Sequence, residues 1–227
     1  MTRGAQALKA TDQAKAPASP GKVRMPNPMR SALTREKLLN ATIECLYELG
    51  YDRTSTVLVT KRANVSRGAM LHQFPSKADL MMATSEFIRK QRREAHRAAL
   101  EGVEDPLEQL RRAIDITWGE LSKPSGIARI EIMLASRSDK EFGARFAALN
   151  TDLDQRHKAW AWQLAERAGI TDRPAVEAMT QLYSAALRGL AIDLLQPGAR
   201  VGVAACVELL KSYQNQLLDQ LIDKARR

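Results

Sequence analysis

Two short helical patterns separated by a tight break occupy residues 54–77, which read TSTVLVTKRANVSRGAMLHQFPSK. Ser55 and Ser66 stand where each helix needs an N-cap, and Pro75 ends the second helix after about two turns. Asn64 lies in the break, where a positive φ is expected and asparagine tolerates it better than most other non-glycine residues. Because helices this short need support from a neighbour, the stretch predicts a helix-turn-helix unit packed on a further helix.

The supporting helix is predicted just before this unit. Thr34 is a good N-cap, and Gly50 can take the left-handed conformation that ends a helix. Between them, a row of mostly apolar residues follows helical spacing: Leu38, Thr42, Cys45, Leu46 and Leu49. Five residues of the short helices are expected to pack inward against that row: Val57, Leu58, Val59, Met70 and Phe74.

The remainder of the chain shows only helical periodicity, with no alternating strand pattern. A long helix is expected from Ser76 to about Leu100, and breaks rich in Pro, Gly or Ser divide the chain after it. These breaks predict helices over about 106–122, 125–137, 140–168, 174–195 and 200–225. With the earlier helices the count is about nine, so the predicted fold class is all-α.

The long helix contains the basic run RKQRREAHR. Its inward positions are predicted to be Leu80, Thr84, Phe87, Ile88, Gln91 and Ala95. The basic residues are then expected on the outer side, either as a solvated face with partners such as Glu94 or in direct contact with phosphates.

The formal charge of +9 is concentrated in the N-terminal part of the chain. All of the excess lies in residues 1–102, and the remaining residues are neutral overall. Clustered Lys and Arg at one end suit a polyanionic partner, because neutralising phosphates releases their counterions. An acidic membrane surface would attract the same pattern, and a basic tail can also serve solubility alone.

Residues 1–30 contain Pro17, Pro20, Pro26 and Pro28 among small and basic residues, with almost no large apolar side chains. Such a segment cannot offset the entropy of ordering, so a disordered basic arm is expected there. The arm either reaches into a groove of a nucleic acid or is an inert leader. The chain has neither an apolar run long enough to span a membrane nor an apolar signal segment, so a cytoplasmic protein without a membrane partner is expected.

The second short helix offers the chemistry of DNA recognition. Gly68 and Ala69 in its first turn allow its backbone to approach a surface closely, while Arg67 and His72 can donate hydrogen bonds to base edges or phosphates. Lys77 begins the next helix, where it is expected to bind a backbone phosphate. Hydroxyl groups at the capped helix ends can bind further phosphates, and the residues that carry them are Ser55, Thr56 and Ser66.

The segment GYDRTSTVLVTKRANVSRGAMLHQFPSKADL resembles the N-terminal domain of the tetracycline-repressor (TetR) family, and the similarity covers roughly residues 34–88. The family pattern is matched at Gly50-Tyr51, Thr54-Ser55, Ala63-Asn64-Val65-Ser66, Phe74 and Ser76-Lys77. Two positions depart from it, since Asn64 stands where the family usually has glycine and Leu71 where it usually has a phosphate-binding tyrosine. Leu71 cannot make that hydrogen bond, so it either touches a thymine methyl group or joins the core.

The resemblance implies a division of the chain into a three-helix DNA-binding domain, residues 31–80, and a C-terminal helical ligand-binding and dimerisation domain, residues 81–227. Within the second domain, residues 81–102 form a linking helix. The resemblance also implies a homodimer through helices 174–195 and 200–225, whose leucines and small residues favour close packing between helices. A purely intramolecular bundle is the alternative for those two helices.

The same resemblance implies an effector pocket among the central helices, where aromatic and methionine side chains would suit a small apolar or amphipathic molecule. The candidates, each of which can equally belong to the core, are Trp118, Met133, Trp160 and Tyr183. The implied function is a ligand-responsive transcriptional regulator, a repressor, that binds a palindromic double-stranded DNA operator as a dimer and is released by its effector.

No catalytic pattern is recognisable, since the chain has no phosphate-binding glycine loop or zinc motif. Asp154 and His157 have the spacing of metal ligands, but exposure on a helix surface explains them better, and Cys45 and Cys206 fit buried free thiols. No enzyme activity, metal or cofactor is therefore expected. The alternative function is a helical interaction protein that does not bind DNA and uses its basic arm to bind acidic surfaces.

Overall fold

The structure, a computed structural model, describes residues 27–227, apart from the side chains of Asn27, Leu153 and Asp154. The predicted disordered arm lies outside these residues, except for its last few, which begin the first helix. The helices are α1 (Asn27–Arg53), α2 (Thr56–Ala63), α3 (Arg67–Gln73), α4 (Lys77–Ala99), α5 (Pro106–Arg111), α6 (Ala113–Leu121), α7 (Pro124–Ala135), α8 (Lys140–Arg167), α9 (Arg173–Asp193) and α10 (Arg200–Ala225). The described residues contain no strand, and the predicted all-α fold is confirmed.

The first helix begins earlier than predicted and continues past its predicted end. Pro28 lies in its first turn, where a missing N–H costs no helical hydrogen bond, so the helix starts at Asn27 instead of Thr34. Thr34 is therefore not an N-cap, and its Oγ1 donates to the carbonyl of Arg30 at 2.8 Å. Gly50 takes a positive φ of 76°, as predicted, but a further helical turn follows it.

The remaining boundaries agree closely with the predicted ones, except in the predicted helix 106–122. The structure divides that segment into α5 and α6 at Arg112. Arg112 keeps right-handed helical angles, with φ −75° and ψ −10°. The sequence has no proline or glycine at this division. The division accounts for the ten helices found among the described residues, where about nine are predicted.

The head, residues 27–80, shares its core with the rest of the chain, residues 81–227, which we call the body. Side chains of the first four helices form one buried cluster that includes Leu38, Leu46, Val59, Met70, Phe74, Leu80 and Ile88. Ile132 of α7 and Phe142 and Phe146 of α8 belong to the same cluster. The head is therefore packed directly on body helices and is not joined to them through α4 alone.

A second buried cluster forms the core of the body. Its members come from α5 to α10 and include Leu110, Ile114, Leu164, Met179, Leu187 and Leu218. Helix α9 packs against α6, α8 and α10, while α4 lies along α6, α7 and α8. Helix α4 therefore continues from the head along the central helices of the body.

Asn64 adopts the left-handed conformation predicted for the turn between α2 and α3, with φ 52° and ψ 50°. Replacing it with valine is expected to lower the free energy of unfolding by about 1–2 kcal/mol, because a branched side chain clashes with the backbone in this conformation. Asn64→Gly removes that clash and should unfold at or above the wild-type temperature. Thermal unfolding followed by circular dichroism at one protein concentration compares the three proteins. An Asn64→Val protein as stable as the wild type would contradict the left-handed turn.

Candidate functional site

Helix α3 turns one side into the head and the other to solvent. Met70 and Phe74 are buried, as predicted, and the guanidinium of Arg35 lies 4.6 Å from the centroid of the Phe74 ring. The side-chain amide of Gln73 donates to the hydroxyl of Ser31 at 2.7 Å, which fixes the end of α3 against α1. The opposite side of α3 and its N-cap are exposed and consist of Ser66, Arg67, Gly68, Leu71 and His72.

Two serines cap the two short helices, as the sequence predicts. The N–H of Leu58 donates to Ser55 Oγ at 3.2 Å, and the N–H of Ala69 donates to Ser66 Oγ at 3.2 Å. Each hydroxyl keeps its own O–H, and both serines are exposed, so each can still donate to a phosphate oxygen. Thr56 and Ala69 are half-buried beside them.

Gly68 leaves space on the outer surface of α3. A β-carbon at this position would meet no other atom of the protein within 4 Å. Packing within the chain therefore gives no reason for a glycine here, whereas the close approach of a partner does.

Two apolar side chains of the helix-turn-helix are also exposed. Leu71 is 47% exposed, so it lies at the surface and not in the core. Val57 is 64% exposed, and the prediction that it packs inward is wrong. Three consecutive helical residues span about 200° of the helix circumference, so Val57, Leu58 and Val59 cannot all face one core.

Lys77 does not extend into solvent. Its Nζ donates to the carbonyl of Tyr51 at 3.0 Å and lies 4.0 Å from the centroid of the Tyr51 ring. Burial lowers the pKa of Lys77, and the charge of Asp52 opposes that shift. The ammonium group therefore ties the start of α4 to the end of α1, and a phosphate contact would require it to leave Tyr51.

The end of α1 also joins the head to the body. The N–H of Tyr51 donates to Glu131 Oε2 of α7 at 2.9 Å, and the rings of Tyr51 and Phe142 stack with centroids 6.4 Å apart. Nearby, Arg145 of α8 donates to Asp79 of α4 at 2.9 Å. A shift of α7 or α8 would therefore act on the residues that position α4 and the helix-turn-helix.

A cavity of about 340 Å³, which we call the large cavity, lies between α4 and the central helices of the body. Its volume is within the range of small-molecule binding sites. Arginines from four helices line it: Arg89, Arg92 and Arg93 of α4, Arg129 of α7, Arg156 of α8 and Arg188 of α9. The other lining residues are His96, Ile116, Thr117, Glu120, Leu121, His157, Trp160 and Ser184.

Two of the four predicted pocket residues line cavities. Trp160 lines the large cavity and also an adjoining smaller one of about 30 Å³, which Tyr183 lines as well. Trp118 and Met133 line neither of these cavities and instead pack, partly buried, against the core clusters. The structure thus places Trp160 and Tyr183 on one cavity, whereas Trp118 and Met133 pack against the same body core without lining either cavity.

Burial and repulsion between like charges shape the electrostatics of the large cavity. Burial lowers the pKa of Arg92, the charge of Glu120 opposes that shift, and the charge of Arg188 adds to it. Burial also lowers the pKa of His96, and the charge of Arg92 lowers it further. The His96 ring meets the Trp160 ring edge to face, with ring centroids 4.7 Å apart.

The sequence does not single out these arginines as a site. The basic run of α4 is expected to face outward with Gln91 inward, yet Gln91 is exposed while Arg89, Arg92 and His96 face the large cavity. Their spacing of three or four residues, which is that of one helix face, was the available signal. Arg129, a charged residue within the mostly apolar helix α7, was a second signal, because arginine is rarely buried.

Metal and membrane sites are not found in the part of the chain that the structure describes. Within residues 27–227 no three metal-ligating side chains come together, although the side chain of Asp154 is outside the described set. Among the same residues, no helix combines the length and the apolar character needed to cross a membrane.

Comparison with known sequences identifies the helix-turn-helix region. The pattern of the bacterial regulatory proteins of the tetR family matches residues 38–84. An uncharacterised helix-turn-helix-type transcriptional regulator of Mycobacterium tuberculosis is 30% identical over 108 residues, which cover 48% of this chain and 55% of the relative. The regulator CymR of Pseudomonas putida is 41% identical over 71 residues, which cover 31% of this chain and 35% of CymR. The chain therefore spans about half or less of the length of these curated relatives.

Solved structures show the same fold over most of the chain. A transcriptional regulator of Saccharomonospora viridis in complex with choline has a TM-score of 0.63 at 15% identity and covers 83% of this chain and 96% of its own. The fatty acid degradation regulator FadR of Bacillus halodurans has a TM-score of 0.64 at 12% identity and covers 80% of this chain and 94% of its own. At such identities the similarity concerns the fold.

The head carries a helix-turn-helix with an exposed face and is packed on a helical body that contains a cavity. Together with the sequence match at residues 38–84, this architecture makes the chain similar to the tetR family of bacterial regulatory proteins. The resemblance inferred from the sequence is thereby confirmed.

Proposed function

We propose that the chain is a ligand-responsive transcriptional repressor that binds a palindromic DNA operator as a homodimer and is released by a small effector. It acts in the cytoplasm and without catalytic turnover. The exposed face of α3 carries this proposal, because Arg67, Leu71 and His72 lie there around the open surface at Gly68. A helix anchored by Met70 and Phe74 can insert that face into the major groove as one rigid element.

Each exposed residue has a separate part in DNA binding. Arg67 and His72 donate to base edges or phosphates, and Leu71 contacts a thymine methyl group. The hydroxyls of Ser55 and Ser66 donate to phosphates and set the register of the helices on the backbone. Half-buried Thr56 and Ala69 support this surface. Lys77, held on Tyr51, positions α4 and adds its charge near the phosphates.

Unpartnered apolar residues support a homodimer through α9 and α10. Large apolar side chains are exposed along both helices and in the segment between them, namely Leu182, Ile192, Leu195, Val201, Leu209 and Tyr213. Gly189, Ala204 and Ala205 are exposed among them and would permit close packing between helices. Cys206, expected to be a buried thiol, is exposed on α10, whereas Cys45 is buried as expected. A second subunit packed on this surface would cover Cys206.

The position of α4 suggests how an effector would release the DNA. Helix α4 begins directly after α3 and lines the large cavity with three of its arginines. A ligand that favours one position of α4 therefore changes the separation of the two α3 helices, which must match half-sites about 34–36 Å apart. A coupling of about 1–3 kcal/mol would weaken DNA binding by about 5- to 150-fold.

Selection of genomic fragments by the purified protein tests this function, and a palindromic site is the expected result. On that site, Arg67→Ala should weaken binding by about 5- to 150-fold and relax the preference at one base pair, because it removes a base-edge donor worth about 1–3 kcal/mol. Fluorescence anisotropy at fixed salt, with the selected site and a scrambled duplex, measures both effects.

Arg167→Ala is a matched control, since Arg167 is an exposed arginine at the end of α8, far along the chain from the head. If Arg67→Ala loses equal affinity for the selected and the scrambled duplex, Arg67 does not contribute to sequence recognition. Deleting residues 1–26 leaves α1 intact and separates this function from binding to acidic surfaces through the arm. Selective operator binding should survive that deletion. Its loss would favour the alternative function, in which the arm binds acidic surfaces.

A further inference from the structure

We propose that the effector is an organic anion, a carboxylate or a phosphate ester with an apolar portion, whose charged group binds the arginines of the large cavity. Describing this ligand as the effector rests on the proposed function. The binding of an anion to the cavity is a property of the body alone and can be measured without DNA.

The charges that line the large cavity are strongly unbalanced. Among the described side chains, six arginines line it and one carboxylate does, that of Glu120. Glu120 is already engaged, because Lys123 Nζ donates to its Oε1 at 2.6 Å. Like charges gathered around one cavity repel one another unless opposite charges accompany them, so this arrangement favours an anionic occupant.

A second carboxylate near the cavity is shared between two arginines. Arg156 Nε donates to Asp152 Oδ1 at 2.9 Å, and Arg89 Nη1 lies 3.7 Å from Asp152 Oδ2. Among the described side chains, no carboxylate oxygen lies within the 4.0 Å ion-pair distance of Arg92 or Arg188. These two guanidinium groups therefore keep donors available for a ligand.

The donors are of the type that binds planar or tetrahedral anions. Arg89 Nε is buried and has no acceptor among the described protein groups. A guanidinium group presents its N–H donors in a flat fork, which matches two oxygens of a carboxylate or a phosphate. An anion between α4 and α9 would accept such hydrogen bonds and reduce the repulsion between Arg92 and Arg188.

One side of the large cavity is apolar. Trp160, Ile116 and Leu121 line it there, and the adjoining smaller cavity adds Tyr183 and Leu187. The two cavities share Trp160, so a single ligand can place its charged group among the arginines and its apolar portion against the indole ring. The arrangement narrows the predicted effector from an apolar or amphipathic molecule to an amphipathic anion.

The sign of the charge distinguishes this cavity from that of a structural neighbour. The Saccharomonospora viridis regulator was solved in complex with choline, which is a cation. Cations of this kind are bound by aromatic cages, whereas the large cavity surrounds its one indole with six arginines. The shared fold therefore does not imply a shared ligand.

Four decyl probes that differ only in their head group test the inference: decanoate, decyl phosphate, decanol and decyltrimethylammonium. Isothermal titration calorimetry of the full chain, below the micelle concentration of each probe, gives the affinities. We expect decanoate or decyl phosphate to bind once per chain, about tenfold or more tightly than decanol, and the ammonium probe to bind least. The two anionic probes distinguish a carboxylate from a phosphate ester, and inorganic phosphate tests the charged group alone.

Arg92→Gln and Arg188→Gln should each weaken the better anionic probe by about tenfold or more, because each removes a charged bidentate donor. Arg97→Gln is the matched control, since Arg97 is exposed on α4 and does not line the cavity. Thermal unfolding checks the fold of each variant. Without ligand, Arg92→Gln should unfold at or above the wild-type temperature, since it removes a partly buried charge that Arg188 repels.

If decanol binds as tightly as decanoate, or if the ammonium probe binds more tightly, the cavity does not prefer an anion. If inorganic phosphate binds as tightly as decyl phosphate, the apolar portion does not contribute to binding. An equal loss of affinity in Arg97→Gln would contradict binding of the anion in the large cavity. Operator affinity is measured separately. If the anions do not bind but operator recognition persists, only this inference is contradicted. If an anion binds but leaves operator affinity unchanged, it is not the effector.

Discussion

Gly68→Leu is expected to abolish operator-specific binding while the protein stays folded. Because a β-carbon at position 68 meets no protein atom within 4 Å, the leucine side chain would stand outward from α3 without disturbing the core. On DNA it would hold the helix away from the groove and separate Arg67 and His72 from the base edges. We expect a loss of about 100-fold or more, toward the affinity for random DNA, which is typically 10³- to 10⁷-fold below specific binding.

Fluorescence anisotropy with the operator and with random DNA measures this loss, and circular dichroism with thermal unfolding checks the fold. Gly119→Leu is the matched control, since Gly119 is also helical and exposed with no atom within 4 Å of its β-carbon position, but it lies on α6 in the body. If Gly68→Leu retains wild-type affinity for the operator, α3 is not the element that enters the groove.

Local chemistry explains why most of the helix-turn-helix could be predicted from the sequence. Ser55 and Ser66 cap their helices through contacts within three residues, and Asn64 takes the left-handed turn because of its own backbone preference. Met70 and Phe74 face inward because four residues make about one helical turn. None of these features depends on a distant part of the chain.

Two features of the head depend on distant contacts. The sequence predicts that Lys77 binds a phosphate, and the structure shows that its ammonium group is held by Tyr51, which lies in another helix and is held in turn by Glu131 of α7. Val57 was expected to be buried, yet whether it faces the core depends on how α2 is rotated against α1. The spacing of residues within a single helix predicts neither the contact of Lys77 with Tyr51 nor the rotation of α2.

The large cavity could be predicted least, because residues of five helices line it. A net charge of zero over most of the body conceals the arginines, because a sum along the sequence does not show which charged side chains gather around one cavity. Trp160 was predicted from its residue type, which favours apolar ligands. The charged side of the cavity depends on which faces of α4, α7, α8 and α9 meet, and that is decided by packing.

Leu209→Glu is expected to convert a dimer into monomers and to weaken operator binding by about 10²- to 10⁴-fold. Leu209 lies at the centre of the exposed apolar row on α10 and is 51% exposed in the single chain. A carboxylate there would be buried without a partner in the proposed interface, which strongly opposes association. A monomer engages one half-site at a time and loses the gain from binding two linked sites.

Sedimentation equilibrium should give the monomer mass of 25.2 kDa for Leu209→Glu and twice that mass for the wild type. Leu134→Glu is the matched control, because Leu134 is 48% exposed but lies on α7, outside the proposed interface, so its dimer should persist. The thiol of Cys206 gives an independent reading, since it should react slowly with a thiol reagent in the wild-type dimer and rapidly in Leu209→Glu. If the wild-type protein instead sediments as a monomer at micromolar concentration, with Cys206 fully reactive, no second subunit covers the apolar surface of α9 and α10. That result would contradict recognition of a two-part operator.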